Sequence, residues 1–173
     1  MSIYRKLTDI GTKFISKDKL FKYGFNLAPM YRRSTARVIH VSKDLLKVRI
    51  RLPISYKNRN FVNTIFGGSM FSAVDPFPMV QLMNLIGDKY VVWDKSANIS
   101  FKRPAKVDLY ADFSYTHQEL EEIKHRVELE KEIEIVRTTA LTNKEGSKTF
   151  CVVEKTLFIA DKQHFKNRRR RSK

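Results

Sequence analysis

The chain has 173 residues, room for one domain with a substantial core. Its 42% hydrophobic and 12% aromatic content fits a folded globular protein, and its single cysteine excludes a disulfide framework and a cysteine-based zinc site. The 34 Lys and Arg against 18 Asp and Glu give a net charge of +16, which points to a phosphate-bearing ligand, a nucleic acid or an anionic membrane surface.

Ile3, Leu7, Ile10 and Phe14 recur at helical spacing, and a second helical turn is expected around 19–23, so an N-terminal helical extension occupies about 1–26. The opening MSIYRKLTDIGTKF lacks the apolar core of a signal peptide, and no apolar run reaches the roughly 20 residues of a membrane span. A cytoplasmic protein without a membrane span is expected. Residues 37–42 and 45–52 read as a hairpin around Lys43-Asp44, ended by Pro53, and 55–62 as a polar loop.

Between Asn60 and Gly87 the only ionisable side chain is Asp75. Phe71, Val74, Phe77, Met79, Val80, Leu82, Met83 and Ile86 surround it, and a segment apolar nearly all round is a buried one. One helix from about Gly67 to Ile86, kinked near Pro76, is expected, with Gly87 at its end. A carboxylate in such a place is paired or at work. A second reading stays open, in which Asp75 is the N-cap and Pro76 the first residue of a helix beginning there.

Residues 90–101 are rich in β-formers and closed by Pro104. Val107, Leu109, Ala111, Phe113 and Tyr115 alternate with Asp108, Tyr110, Asp112 and Ser114, the period of a half-buried strand. Residues 118–130 are charged throughout and read as a solvated surface helix. Residues 132–142 and 149–160 flank Asn143-Lys144-Glu145-Gly146, a hairpin turn. Residues 162–173, with the run KNRRRRSK, read as a basic disordered tail, the one place where nucleic acid contact is expected. Cys151 reads as a small core residue and His40 as a surface or half-buried strand residue. His117, His125 and His164 have no partner at ligand spacing, so no metal is expected. Neither a P-loop nor a dinucleotide fingerprint nor a Ser-His-Asp pattern is present, so no cofactor is expected.

The order of elements describes an α+β fold: an antiparallel sheet wrapped around one long helix. One sheet covers one side of that helix, and the other side is expected to meet a second copy in a homodimer or homotetramer.

The chain resembles the hotdog fold, and within it the phenylacetyl-CoA type of acyl-CoA thioesterase. Asn60, then Phe66-Gly67-Gly68, then Asp75 stand at the spacing of that family's Asn, His-Gly-Gly and Asp, and Ile99–Pro104 matches its strand ending in aromatic-x-x-Pro. The likeness extends to a hotdog branch with FGGS, DPF and VWDK, here at 66–69, 75–77 and 92–95, and covers about 27–161. The resemblance implies a single hotdog domain over 1–161 that hydrolyses an acyl-CoA or acyl-carrier-protein thioester. Asp75 is then nucleophile or general base, the Gly67 N–H the oxyanion donor, and Asn60 a second donor. Gly68, Ser69, Trp93, Asp94, Lys102 and Arg103 are implied to contact substrate, Asp94 holding a water or raising the pKa of Asp75. In relatives, carboxylate and glycine N–H come from different subunits. Phe66 stands where the family has His. A non-catalytic hotdog protein that binds an acyl or CoA-like ligand is the alternative.

Overall fold

The structure is a computed structural model that describes residues 15–171. The helix expected around Ile3 to Phe14 lies outside the described residues. Helix α1 (Lys17–Leu27) and the short α2 (Pro29–Arg32) lead into β1 (Arg37–Val41) and β2 (Lys47–Leu52). Helices α3 (Gly67–Val74) and α4 (Pro76–Ile86) follow, then β3 (Tyr90–Phe101), β4 (Leu109–Ser114), α5 (His117–Glu130), β5 (Glu132–Thr142), β6 (Thr149–Asp161) and α6 (Lys162–Arg171). The six strands form one antiparallel sheet in the order β1-β2-β4-β5-β6-β3, wrapped around α3 and α4 as expected.

The expected single helix from Gly67 to Ile86 is interrupted at Asp75. Pro76 has no N–H for the Ser72 carbonyl and Pro78 none for that of Val74, so the ladder of helical hydrogen bonds fails on both sides of Asp75. Asp75 itself keeps helical dihedrals (φ −48°, ψ −50°), so α3 and α4 run on as one interrupted helix.

The core divides in two. Phe21, Tyr31, Met70, Phe77, Phe113 and Val153 belong to one apolar cluster. Leu82, Ile86, Leu120, Ile123, Val127, Leu157 and Ile159 belong to the other. In the first, the Phe25 ring stacks on Phe77 at 4.8 Å and Tyr31 meets Phe77 edge-on at 5.3 Å. The chain's own α1 thus packs its Phe25 ring onto Phe77 of α4. In the second cluster, Leu120, Ile123 and Val127 at helical spacing bury one face of α5. The segment read as a solvated surface helix is amphipathic, with its start fixed by a capping box between Thr116 and Glu119.

The tail also departs from expectation. Residues 162–171 form α6 rather than a disordered segment, because Phe165 has something to bury. Its ring meets Trp93 edge-on at 5.0 Å, and Trp93 stacks on Phe158 at 4.4 Å. Arg168 pairs with Glu132, and the Asp161 carboxylate accepts the His164 N–H at 2.8 Å. Among the described residues no helix is long and apolar enough to cross a membrane.

Candidate functional site

On β6 the residues Cys151, Val153, Lys155, Leu157 and Ile159 alternate onto the face that meets the helices, and each is almost fully buried. Four of the five are core-forming. Lys155, 2% exposed, sits in that row between Val153 of one apolar cluster and Leu157 of the other. A buried ammonium needs acceptors and counter-charge, and Lys155 has two hydrogen-bond acceptors and a second carboxylate in ion-pair contact. It donates to the Asp75 carboxylate Oδ1 at 2.6 Å and to the Asp75 carbonyl at 2.7 Å, and Asp94 Oδ2 lies in ion-pair contact at 2.7 Å. The helix interruption puts Asp75 within reach of this strand. A bulge in the β3–β6 register between Asp94 and Ser96 falls beside the second carboxylate.

Two carboxylates against one ammonium leave one negative charge. The Asp75 side chain is 43% exposed and its Oδ2 is not used by Lys155. Asp94 Oδ1 is buried and has no hydrogen-bond partner. Such an orphaned acceptor marks a position for a water or a ligand group. Asp75 precedes Pro76 as a helix-capping residue would, yet its side chain makes no cap hydrogen bond. Its carboxylate serves Lys155 instead.

The other expected groups lie at the far end of α3. A groove of about 500 Å³ is bounded there by Asn60, Gly67, Met70, Phe101, Lys102 and Arg103, among others. The first helical N–H with a partner is that of Ser69, bonded to the Phe66 carbonyl at 2.9 Å, so Gly67 and Gly68 offer N–H groups ahead of the ladder. Both glycines lie against aromatic rings. A Cβ on Gly67 would lie 2.8 Å from the Phe101 ring, and one on Gly68 2.3 Å from the Phe66 ring. Asn60 is largely committed to its own loop: its Oδ1 accepts from Val62 N at 3.1 Å and Thr64 N at 3.0 Å, and its Nδ2 donates to Thr64 Oγ1 at 2.9 Å.

The structure thus brings Asp94 to Asp75, and Asn60, Lys102 and Arg103 to Gly67. It does not join the two sets within one chain, since eight residues of helix separate Gly67 from Asp75 by about 12 Å. Trp93 stands apart from both, stacked on Phe158 and under α6 on the outer face of the sheet. The sequence reading missed Lys155. The signal was present, because a lysine in a period-two row of Cys, Val, Leu and Ile breaks the pattern of a core-facing strand. Cys151, in the same row, has its thiol pushed up to about 11 by burial.

Residues 17–152 match the model of DUF4442, a domain of unknown function. The chain belongs to this family. DUF4442 is a hotdog-type domain, and similar solved structures are hotdog-fold thioesterases. A probable thioesterase of Pseudomonas aeruginosa is similar at 17% identity and TM-score 0.73, covering 83% of this chain and 95% of its own. A thioesterase of Haemophilus influenzae is similar at 11% identity and TM-score 0.61, covering 86% and 94%. A thioesterase of Staphylococcus aureus is similar at 14% identity and TM-score 0.55, covering 77% and 99%. At these identities the likeness establishes the hotdog fold. No curated protein matches the chain.

Proposed function

We propose that this DUF4442 protein is a thioesterase that hydrolyses an acyl-CoA or acyl-carrier-protein thioester. The observation that carries this reading is the Asp75 carboxylate, held by a buried lysine at a helix interruption with one oxygen left over. Asp75 Oδ2 takes a proton from a water whose oxygen bonds to the thioester carbon. The orphaned Asp94 Oδ1 accepts the other O–H of that water and aims it. The carbonyl π pair moves to its oxygen, which the Gly67 N–H receives at the helix N-terminus. When the tetrahedral intermediate collapses, the C–S bond breaks and the thiolate takes the proton from Asp75, giving a free acid and a thiol. Direct attack by Asp75 on the carbon is the other use of the same oxygen.

The site is assembled between two copies, with Asp75 and Asp94 from one and Gly67, Lys102 and Arg103 from the other. Two features support this. The 12 Å gap within a chain needs a second copy to close it, and β3 is a 12-residue strand at the sheet edge with Lys95 to Asn98 exposed along it. A homodimer or homotetramer follows, and sedimentation at micromolar concentration should give at least twice the 20.3 kDa chain mass.

The test is release of free thiol from a panel of acetyl-, hexanoyl-, palmitoyl- and phenylacetyl-CoA. Wild type should turn over at least one, and Asp75→Asn should lose about a hundredfold or more in kcat. Turnover untouched by Asp75→Asn removes Asp75 from the chemistry. A wild type inert on the whole panel that still binds acyl-CoA leaves a ligand-binding hotdog protein, with Asp75–Lys155–Asp94 as a structural ion cluster.

A further inference from the structure

A second cavity, of about 400 Å³, lies away from Asp75 and is bounded by Arg32, Arg33, Arg37 and Lys57 with the Tyr56 ring. No carboxylate lines it. Among the described residues none of these four cations has an ion-pair partner. By contrast, Lys95, Lys124, Arg126 and Arg137 each pair with a glutamate. Four like charges gathered without a counter-ion repel one another, and an anion placed among them relieves that repulsion.

The gathering is built into the backbone. Thr35 has φ +67°, a conformation that a β-branched residue rarely adopts, and strain of this kind collects at ligand sites. It curls the chain between Arg33 and Arg37. Buried anchors on either side hold the curl: Tyr31 and Ala36 are in the core, and Ser34 Oγ donates to the Tyr31 carbonyl at 2.7 Å. The buried Asn58 amide ties the opposite wall, donating to Thr35 Oγ1 at 2.7 Å and to the Pro53 carbonyl at 2.8 Å. The arginines are exposed on the same turn that those anchors fix.

The same loop reaches the groove at Gly67. Lys57 lines one cavity and Asn60 the other, and three residues of chain span at most about 11 Å. That is shorter than an extended phosphopantetheine arm. Tyr56, 84% exposed, offers a flat ring on which an adenine can stack.

We infer that this cavity receives the phosphorylated ribose end of coenzyme A, with Arg32, Arg33, Arg37 and Lys57 around its phosphates and Tyr56 against its base. The inference rests on the thioesterase reading for the acyl end, and it selects a CoA thioester over a carrier-protein thioester. A carrier protein presents a phosphopantetheine arm without the adenosine 3′-phosphate.

The test is calorimetric titration of the intact protein with adenosine 3′,5′-bisphosphate, beside turnover of a CoA thioester and its 3′-dephospho analogue. Arg33→Gln and Lys57→Gln alter exposed side chains, and Lys144→Gln on the distant β5–β6 turn controls for net charge. Each of the first two should weaken bisphosphate binding about tenfold, the scale of one charge-assisted hydrogen bond, and the control should leave it unchanged. KM for the CoA thioester should rise by a similar factor at constant kcat. The 3′-dephospho thioester should be insensitive to Arg33→Gln. Equal bisphosphate affinity in wild type, Arg33→Gln and Lys57→Gln overturns the inference. So does a loss confined to phosphatidylglycerol vesicles or single-stranded DNA. A protein that binds the bisphosphate through these residues but hydrolyses nothing keeps the site and rejects the thioesterase reading; one that hydrolyses thioesters regardless of the 3′-phosphate does the reverse.

Discussion

The two ends of α3 carry opposite kinds of site. At its C-terminal end, Asp75 and Asp94 are locked by Lys155 at the seam between two apolar clusters. At its N-terminal end, Gly67 opens on a groove where Lys102 and Arg103 are exposed. One end is a buried ion cluster with a single spare charge, and the other offers free donors and exposed cations. In the proposed mechanism the two ends are halves of one centre, and the helix between them keeps them about 12 Å apart in a single chain.

The largest effect that can break this contrast comes from removing both carboxylates. Asp75→Asn with Asp94→Asn leaves an ammonium that is 2% exposed without a counter-charge, and should cost about 3–5 kcal/mol in denaturant unfolding. Adding Lys155→Met to that pair should recover most of the loss, since an apolar residue fits the row of Val153 and Leu157. If the double variant unfolds at the wild-type midpoint, Lys155 is not confined as its contacts indicate.

At the other end, Gly67→Ala should leave stability within about 1 kcal/mol, because the Phe101 ring that a Cβ would meet is 57% exposed and can swing away. Swung aside, the ring obstructs the groove, so turnover should fall while the unfolding midpoint holds. A stability loss of several kcal/mol would mean that this end is core rather than site.

Smaller again is the effect of the tail helix. Phe165→Ala should cost about 1 kcal/mol, the worth of an aromatic pair, and should shift the fluorescence of Trp93, the only tryptophan. An unchanged spectrum would mean that α6 does not dock.

The smallest expected effect is on pH dependence. Burial pushes Glu119 up, but hydrogen bonds from Thr116 N–H, Arg137 and Thr116 Oγ1 outweigh it and hold the carboxyl below its ordinary 4.5. A folded-state value below the unfolded one makes the contribution complete above about 4.5 and lost as pH falls through the folded value. Acid unfolding of Glu119→Gln should therefore be less steep below pH 4.5 than that of wild type. Identical acid profiles would place the acid sensitivity elsewhere.

Much of the fold was legible from residues alone. Hydrophobic period and turn chemistry placed β5 at 132–142 and β6 from 149, and the uncharged run around Asp75 marked the central helix. Local pattern carries such information because strands and amphipathic helices announce their own period. The prolines could be read two ways, as kink or as helix start, and the structure contains part of each: α4 begins at Pro76, but Asp75 does not cap it. The errors came where long-range packing decided. The charges of α5 hid Leu120, Ile123 and Val127, and the cations of the tail hid Phe165.

The sequence by itself therefore determined the order of strands and helices, the Gly67-Gly68 helix start and the place of Asp75 as the one charge in an apolar run. Those follow from backbone rules that act over a few residues. Only the tertiary structure decided that Lys155, 80 residues further on, is the partner of Asp75 and Asp94. A buried cation must find its counter-charges wherever the sheet register brings them, and no spacing along the chain encodes that register.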